Sequence, residues 1–237
     1  MRELLVAGRR RTRELWVAAD QDDVHLLQDI VDLATDERVP VREVSRKRLF
    51  AEARTDAPQG VLARAAPLQE VELDDLVTSK GKTPPFLLAL DGVTDPGNLG
   101  ALLRSAECAG ITGVILPRHR ATHVTPTVTK AAAGAVEYLA MSVVGGLPSA
   151  LLRLRDEGVH VVGLDAGGDH SLFDLSAADI PLCLVLGAEG RGLSRLVRQR
   201  CDELASIPLL GSLASLNVAA AGALACYEVA RRRLAAG

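Results

Sequence analysis

A chain of 237 residues, 48% hydrophobic and 24% charged, can bury one large core or two modest ones, and this composition excludes a disordered chain. Its longest apolar runs, such as residues 180–186, fall far short of the roughly 20 residues needed to cross a bilayer, and the N-terminus has no secretory apolar stretch, so a cytoplasmic protein without a membrane partner is expected. A net charge of −3 and an aromatic content of 3% argue against a protein that coats nucleic acid indiscriminately or stacks bases on a platform of rings.

In chain order, residues 1–66 read as a small α/β unit: a helix-like start, a strand over 14–18, a helix over 24–36, a strand over 41–44 and another helical turn. Arg9, Arg10, Arg11 and Arg13 crowd its beginning. Residues 67–84 are charged, contain Ser-Lys-Gly-Lys-Thr-Pro-Pro and show little periodicity, which predicts a linker before a second domain over 85–237. That domain alternates a strand 86–90, a helix 99–109, a strand 113–116, a helix near 126–135, strands 159–164 and 182–186, a short helix near 194–200 and a long helix 215–234. A predominantly parallel α/β sheet follows from the alternation. Arg231, Arg232 and Arg233 close the last helix, where cations favour the negative end of the macrodipole. The cysteines, Cys108, Cys183, Cys201 and Cys226, lack the spacing of a zinc site and read as reduced, mostly buried thiols, so no metal is expected.

In open α/β sheets ligands bind beyond the carboxyl ends of the strands, which singles out the loops after Leu90, Leu186 and Leu209. The first runs from Asp91 through Asn98-Leu99-Gly100 into a helix bearing Arg104, so that Asn98 and Arg104 converge on one ligand. The second, Leu186-Gly187-Ala188-Glu189-Gly190-Arg191-Gly192, sets one carboxylate among glycines that permit close backbone approach. The third runs from Ile207-Pro208-Leu209 to Ser215-Leu216-Asn217 and enters the last helix, which Ser215 or Asn217 caps. Taken singly, each has an ordinary structural explanation as a turn, a solvated arginine or a helix cap. Nucleotide motifs fail: Gly81-Lys82-Thr83 lacks the first P-loop glycine, Leu76 standing there, and neither glycine loop spells G-x-G-x-x-G.

Together the three loops resemble, in order and spacing, the signatures of the SpoU/TrmH family of RNA ribose methyltransferases: Asn98-Leu99-Gly100 with Arg104, then residues 186–190, then Ile207-Pro208 with Ser215-Leu216-Asn217. The resemblance implies a SPOUT fold whose C-terminal stretch threads a trefoil knot, one of the rare exceptions to unknotted connections. It implies S-adenosyl-L-methionine held largely by backbone groups at Leu186, Gly187, Ile207, Leu209 and Leu216. It also implies a homodimer with a shared active site. Residues 1–66 look like the ribosomal-protein-like RNA-binding domain of members that modify large-subunit ribosomal RNA, although Arg2 to Gly8 resembles the second half of a helix, as if the domain were trimmed at its start. Ala132 stands where relatives often carry Ser.

The implied reaction is 2′-O-methylation of a ribose in RNA, with a guanosine of 23S rRNA favoured. Transfer RNA as substrate, an antibiotic-resistance methylation of ribosomal RNA, and an RNA-binding assembly factor without turnover are the alternatives. The catalytic set carried over is Arg104, Asn98, Glu189, Ser215 and Asn217. Arg104 stabilises the developing alkoxide and binds the adjacent phosphate, while water or the phosphate takes the proton. Asn98 orients Arg104 or the ribose, Ser215 and Asn217 bond the target nucleotide or the loops, and Glu189 fixes a loop or Arg104. DNA is not an expected substrate, because the target 2′-hydroxyl is what distinguishes RNA. An oxidoreductase, which the α/β pattern alone would allow, lacks its fingerprint glycines here.

Overall fold

The computed structural model describes the chain except residues 20–23, 54–57, 79–82, 120–122, 176–178 and 237; the Ser-Lys-Gly-Lys stretch of the expected linker therefore lies outside the described residues. The described chain forms two compact units, one of residues 1–69 with 133–138, the other of residues 70–132 with 139–237.

In the first unit three strands pair in the order β2-β1-β3: β1 (Thr12–Ala18), β2 (Val41–Val44) and β3 (Val61–Ala65). The first pair is parallel and joined by α2 (Val24–Asp36), whereas β3 runs antiparallel to β1. Alternation along β1 sends Leu15 and Val17 against Leu5, Leu27, Ile30 and Ala34, while Trp16 and Ala18 pack with Val44 and Leu49 on the other face. Leu5 belongs to α1 (Arg2–Ala7) and Leu49 to α3 (Arg46–Glu52), so helices cover both faces of the small sheet. Glu137 of the returning segment is buried and paired with Arg10, whose Nε donates to it at 2.8 Å.

The second unit is built on seven strands in the order β6-β5-β4-β9-β7-β10-β8, every pair parallel. They are β4 (Phe86–Asp91), β5 (Gly113–Pro117), β6 (Ala140–Val144), β7 (His160–Leu164), β8 (His170–Ser171), β9 (Leu182–Gly187) and β10 (Glu203–Ser206). The central strands β4 and β9 are buried almost end to end, which a sheet covered on both faces requires. One face packs on α4 (Leu73–Val77), α7 (Leu147–Asp156) and α8 (Arg195–Arg198) through Leu73, Leu76, Leu151, Leu154 and Val197. The other face carries α5 (Pro96–Cys108) and α9 (Val218–Ala236). Gly222 lets α9 approach: a Cβ there would lie 2.2 Å from Leu102 Cδ2 and 2.6 Å from Leu186 Cδ1.

Several elements differ from the sequence expectation. The first half of the segment read as a linker belongs to the second unit: Glu70 bridges Met141, and α4 buries Leu73 and Leu76. The helix expected to reach residue 135 is α6 (Pro126–Ala131), which stops because Ala133 and Gly134 take positive φ before a 3₁₀ turn over Ala135–Glu137. Strands β3, β6, β8 and β10 and helices α4 and α7 were not foreseen. The terminal arginines do more than face a helix dipole: Arg231 and Arg232 clamp Glu228, and Arg233 donates to the carbonyls of Pro84, Pro85 and Ile180. The hydrogen bond from Arg231, followed by that from Arg232, holds the buried Glu228 carboxyl down at about 2.

Candidate active site

The chain leaves β4, builds β5 and β6 outward on one side, and later adds β9 against the other side of β4. A topological switch point therefore lies between β4 and β9, and the loops leaving their carboxyl ends flank it. The third loop starts two places away at β10, so residues 207–217 must cross the ends of β7 and β9 to join α9 beside α5.

Asn98 enters α5 under an N-cap: Asp95 Oδ1 accepts from its backbone N–H at 2.6 Å, and Pro96 occupies the first turn, where its missing N–H costs nothing. Its side chain joins the other two loops. The Asn98 Nδ2 donates to Glu189 Oε2 at 3.2 Å, and Asn98 Oδ1 accepts from Asn217 Nδ2 at 2.9 Å. Asn217 Oδ1 in turn accepts from the backbone N–H groups of Ala219 at 2.9 Å and Ala220 at 3.3 Å, so Asn217, rather than Ser215, caps α9. The polarity of this chain follows from the helix N–H groups, which can only donate at one end, and Glu189 Oε2 accepts at the other.

Gly187 ends β9 buried, and only glycine fits: a Cβ would stand 2.1 Å from the Gly192 carbonyl carbon and 2.4 Å from Leu193 N. The backbone returns so close because Ala188 and Gly192 exchange hydrogen bonds of 3.1 and 2.8 Å. Leu186 is buried beneath. Asp91 and Asp165, which the sequence reading did not single out, brace this loop. Asp91 Oδ2 accepts from Ser194 N at 2.7 Å, and Asp165 pairs with Arg198 at 2.8 Å. A carboxylate at the end of a β-strand was the signal available for Asp91.

The third loop is different. Among the described residues, the backbone groups of residues 207–216 make no backbone hydrogen bond. Ile207 is half-buried, Leu209 and Leu216 are 38% exposed, Leu213 is 81% exposed and Leu210 fully so. Ser215 is exposed and makes no side-chain hydrogen bond among the described residues. Arg104 is likewise exposed on α5 and forms no ion pair there; Glu189 reaches Asn98 rather than Arg104. The structure thus joins Glu189, Asn98 and Asn217, whereas Arg104 and Ser215 make no side-chain hydrogen bond or ion pair among the described residues. Burial pushes the thiols of Cys201 and Cys226 up to about 12, which leaves them protonated and poorly nucleophilic.

A parallel α/β sheet with three loops meeting at its switch point, one glycine-locked and one with open backbone, defines a SPOUT-type ligand site. The chain belongs to the SpoU rRNA methylase family, whose model matches residues 85–227, and is an RNA methyltransferase; residues 2–71 match the model for RNA 2′-O ribose methyltransferase substrate binding. It is 39% identical to the 23S rRNA (guanosine-2′-O-)-methyltransferase RlmB of Photobacterium profundum over 94% of this chain and 91% of that protein. An uncharacterized tRNA/rRNA methyltransferase of Mycobacterium ulcerans is 40% identical, over 98% of this chain and 74% of that one. Among solved structures, the SpoU methyltransferase AviRb from Streptomyces viridochromogenes, in complex with AdoMet, is similar at a TM-score of 0.79 and 25% identity, covering 99% of this chain and 87% of that one.

Proposed function

We propose that this chain transfers the methyl group of S-adenosylmethionine to the 2′-hydroxyl of a guanosine in 23S rRNA, acting in the cytoplasm as a homodimer. The observation that carries this reading is the hydrogen-bonded chain from Glu189 through Asn98 to Asn217, which unites the three signature loops in one place. Support for the guanosine and for 23S rRNA comes from the Photobacterium relative.

The residues present fit S-adenosylmethionine. Among the described residues, backbone donors and acceptors over residues 207–216 stand free of backbone partners, in a stretch that carries the apolar Ile207, Leu209 and Leu216. Such a strand of open amides suits a ligand read by main-chain hydrogen bonds. When bound, the cofactor supplies an electrophilic methyl group on a sulfonium. The same crossing segment is where the trefoil knot of this fold class would be threaded.

The chain's own side chains divide the rest of the work. Positioning of the ribose oxygen for in-line attack supplies on the order of 7–11 kcal/mol of the barrier. Asn98, held at both ends of its amide, cannot rotate freely and fixes the loops around the target nucleotide. Arg104, whose guanidinium offers donors and no acceptor, binds the neighbouring phosphate and stabilises the oxygen as negative charge develops; the proton leaves to water or to that phosphate. Ser215 offers an unbonded hydroxyl to the same nucleotide. The first unit, residues 1–69 with 133–138, would hold the RNA, and the second, residues 70–132 with 139–237, would carry the catalysis. A dimer is supported by exposed Leu224, Tyr227 and Leu234 on one side of α9, near exposed Leu210 and Leu213 in sequence.

Purified protein incubated with tritiated S-adenosylmethionine and, separately, unmodified 23S rRNA, transfer RNA and DNA tests the reading. Label at one ribose of 23S rRNA alone is expected; label confined to transfer RNA would replace the substrate, and label in DNA would overturn the 2′-hydroxyl argument.

A further inference from the structure

The arginines crowding the start of the chain play no part in the site just described. Arg10, Arg11 and Arg13 line a cleft of about 420 Å³ in the first unit, together with Arg38 from the turn after α2. The volume lies within the ~300–1,000 Å³ of ligand-sized clefts. Its floor includes Leu4, Leu5 and Val39, and Glu37 is the one carboxylate among the described lining residues. Arg10 is committed to Glu137 and to the Ala66 carbonyl. Arg11, Arg13 and Arg38 are exposed and form no side-chain hydrogen bond or ion pair among the described residues.

Two backbone irregularities present these free guanidiniums. Pairing between β1 and β3 shifts register between Thr12 and Glu14, so Arg13 is the extra residue of a bulge, a device that re-aims a side chain. Arg38 takes φ 55 at the end of α2, in the left-handed conformation that helix ends ordinarily assign to glycine. A non-glycine residue is uncommon in this conformation, which glycine adopts without steric cost.

We propose that this cleft grips the substrate RNA, one nucleotide lying on the apolar floor with its flanking phosphates on Arg11, Arg13 and Arg38. Guanidinium forks match phosphate oxygens, and an apolar floor accepts sugar or base without sequence demands. The proposal rests on the RNA methyltransferase reading but concerns grip and not chemistry.

The test uses the full chain and a fluorescent fragment of 23S rRNA, with affinity measured by anisotropy at several salt concentrations. The triple variant R11A/R13A/R38A is expected to bind about tenfold more weakly or worse near 0.1 M salt, with the log–log salt slope reduced by about 2 to 3. Affinity for S-adenosylmethionine should not change, and the loss in methylation should appear as a raised KM for RNA. Arg38→Gly relieves the left-handed strain, so thermal stability should hold or rise while RNA affinity falls, a split that a purely structural arginine would not give. Unchanged RNA affinity and slope in the triple variant would overturn the proposal, as would an equal loss in R42A/R46A/K47A, which removes as many charges away from the cleft. Competition by free guanosine monophosphate as effective as by the RNA fragment would also overturn it, assigning the cleft to free nucleotides. Failure of the wild-type protein to methylate any RNA, with the binding differences intact, would remove the methylation reading and leave the cleft standing.

Discussion

Within the candidate site two kinds of loop face each other. Residues 187–193 are locked, with Gly187 buried under a returning backbone and Ala188 and Gly192 bonded to one another. Residues 207–216 carry the opposite signature, with exposed leucines and no backbone hydrogen bond among the described residues. Side chains divide in the same way: Glu189, Asn98 and Asn217 hold one another, whereas Arg104 and Ser215 bond to no side chain or backbone group among the described residues. Groups already satisfied inside the protein gain little from a ligand, while open groups in a preorganised frame have their bonding capacity left for it. On the proposed function the locked half is the frame, and the open half is where cofactor and RNA would be read.

The sharpest way to break that division is Arg104→Ala. An open group can be lost without cost to the fold, so the melting temperature should stay at the wild-type value while kcat falls about 10²–10³-fold, the typical effect of deleting one charge-stabilising donor. Single-turnover methylation beside a thermal melt checks both; a normal rate would take Arg104 out of the catalytic set. Gly187→Ala attacks the frame. Its new methyl would sit 2.1 Å from the Gly192 carbonyl carbon, and the two bonds between Ala188 and Gly192 resist a shift of that backbone. A loss of about 1–3 kcal/mol in stability is expected from such overpacking, together with weakened S-adenosylmethionine binding, measured by denaturant titration and calorimetry. Stability loss without any change in cofactor affinity would detach the locked loop from the cofactor site.

Much of this division could be read from residue order before any coordinates. Asn98, Glu189 and Asn217 stand far apart in the chain, yet loop position and residue type marked each of them, and the three meet. What could not be read was the part set by packing. Strand β10 is four residues, Glu-Leu-Ala-Ser, of which only Ala205 is fully buried, between β7 and the two-residue β8, so it has no apolar run to betray it. The alanine-rich stretch from Lys130 to Ala135 reads as continuous helix by propensity, but Ala133 turns left-handed and Glu137 is buried against Arg10, contacts that residue type alone does not announce. Helix α4 escaped because five residues, with Leu73, Leu76 and Val77 as the apolar ones, are too short to show a helical period. Which asparagine partner each loop chooses was equally hidden, since Glu189 suits Arg104 by charge and only geometry assigns it to Asn98.

The smallest expected effects come from the two residues that open α9. Asn217 both caps the helix and donates to Asn98, so Asn217→Ala should cost about 1 kcal/mol for the cap and free the Asn98 amide to rotate. Asn217→Asp separates the two roles. The carboxylate keeps the cap and favours the positive end of the helix, but it cannot donate to Asn98 Oδ1 and sets a second negative group near Glu189. Stability close to wild type with reduced kcat is therefore expected for Asp, and reduced stability with reduced kcat for Ala. Ser215→Ala, by contrast, removes a hydroxyl bonded to nothing among the described residues and should leave stability within about 0.5 kcal/mol, its effect confined to the rate or to KM for RNA. Melts and steady-state kinetics on the three variants decide the matter: if Ser215→Ala proved as destabilising as Asn217→Ala, the open half of the site would be part of the frame after all.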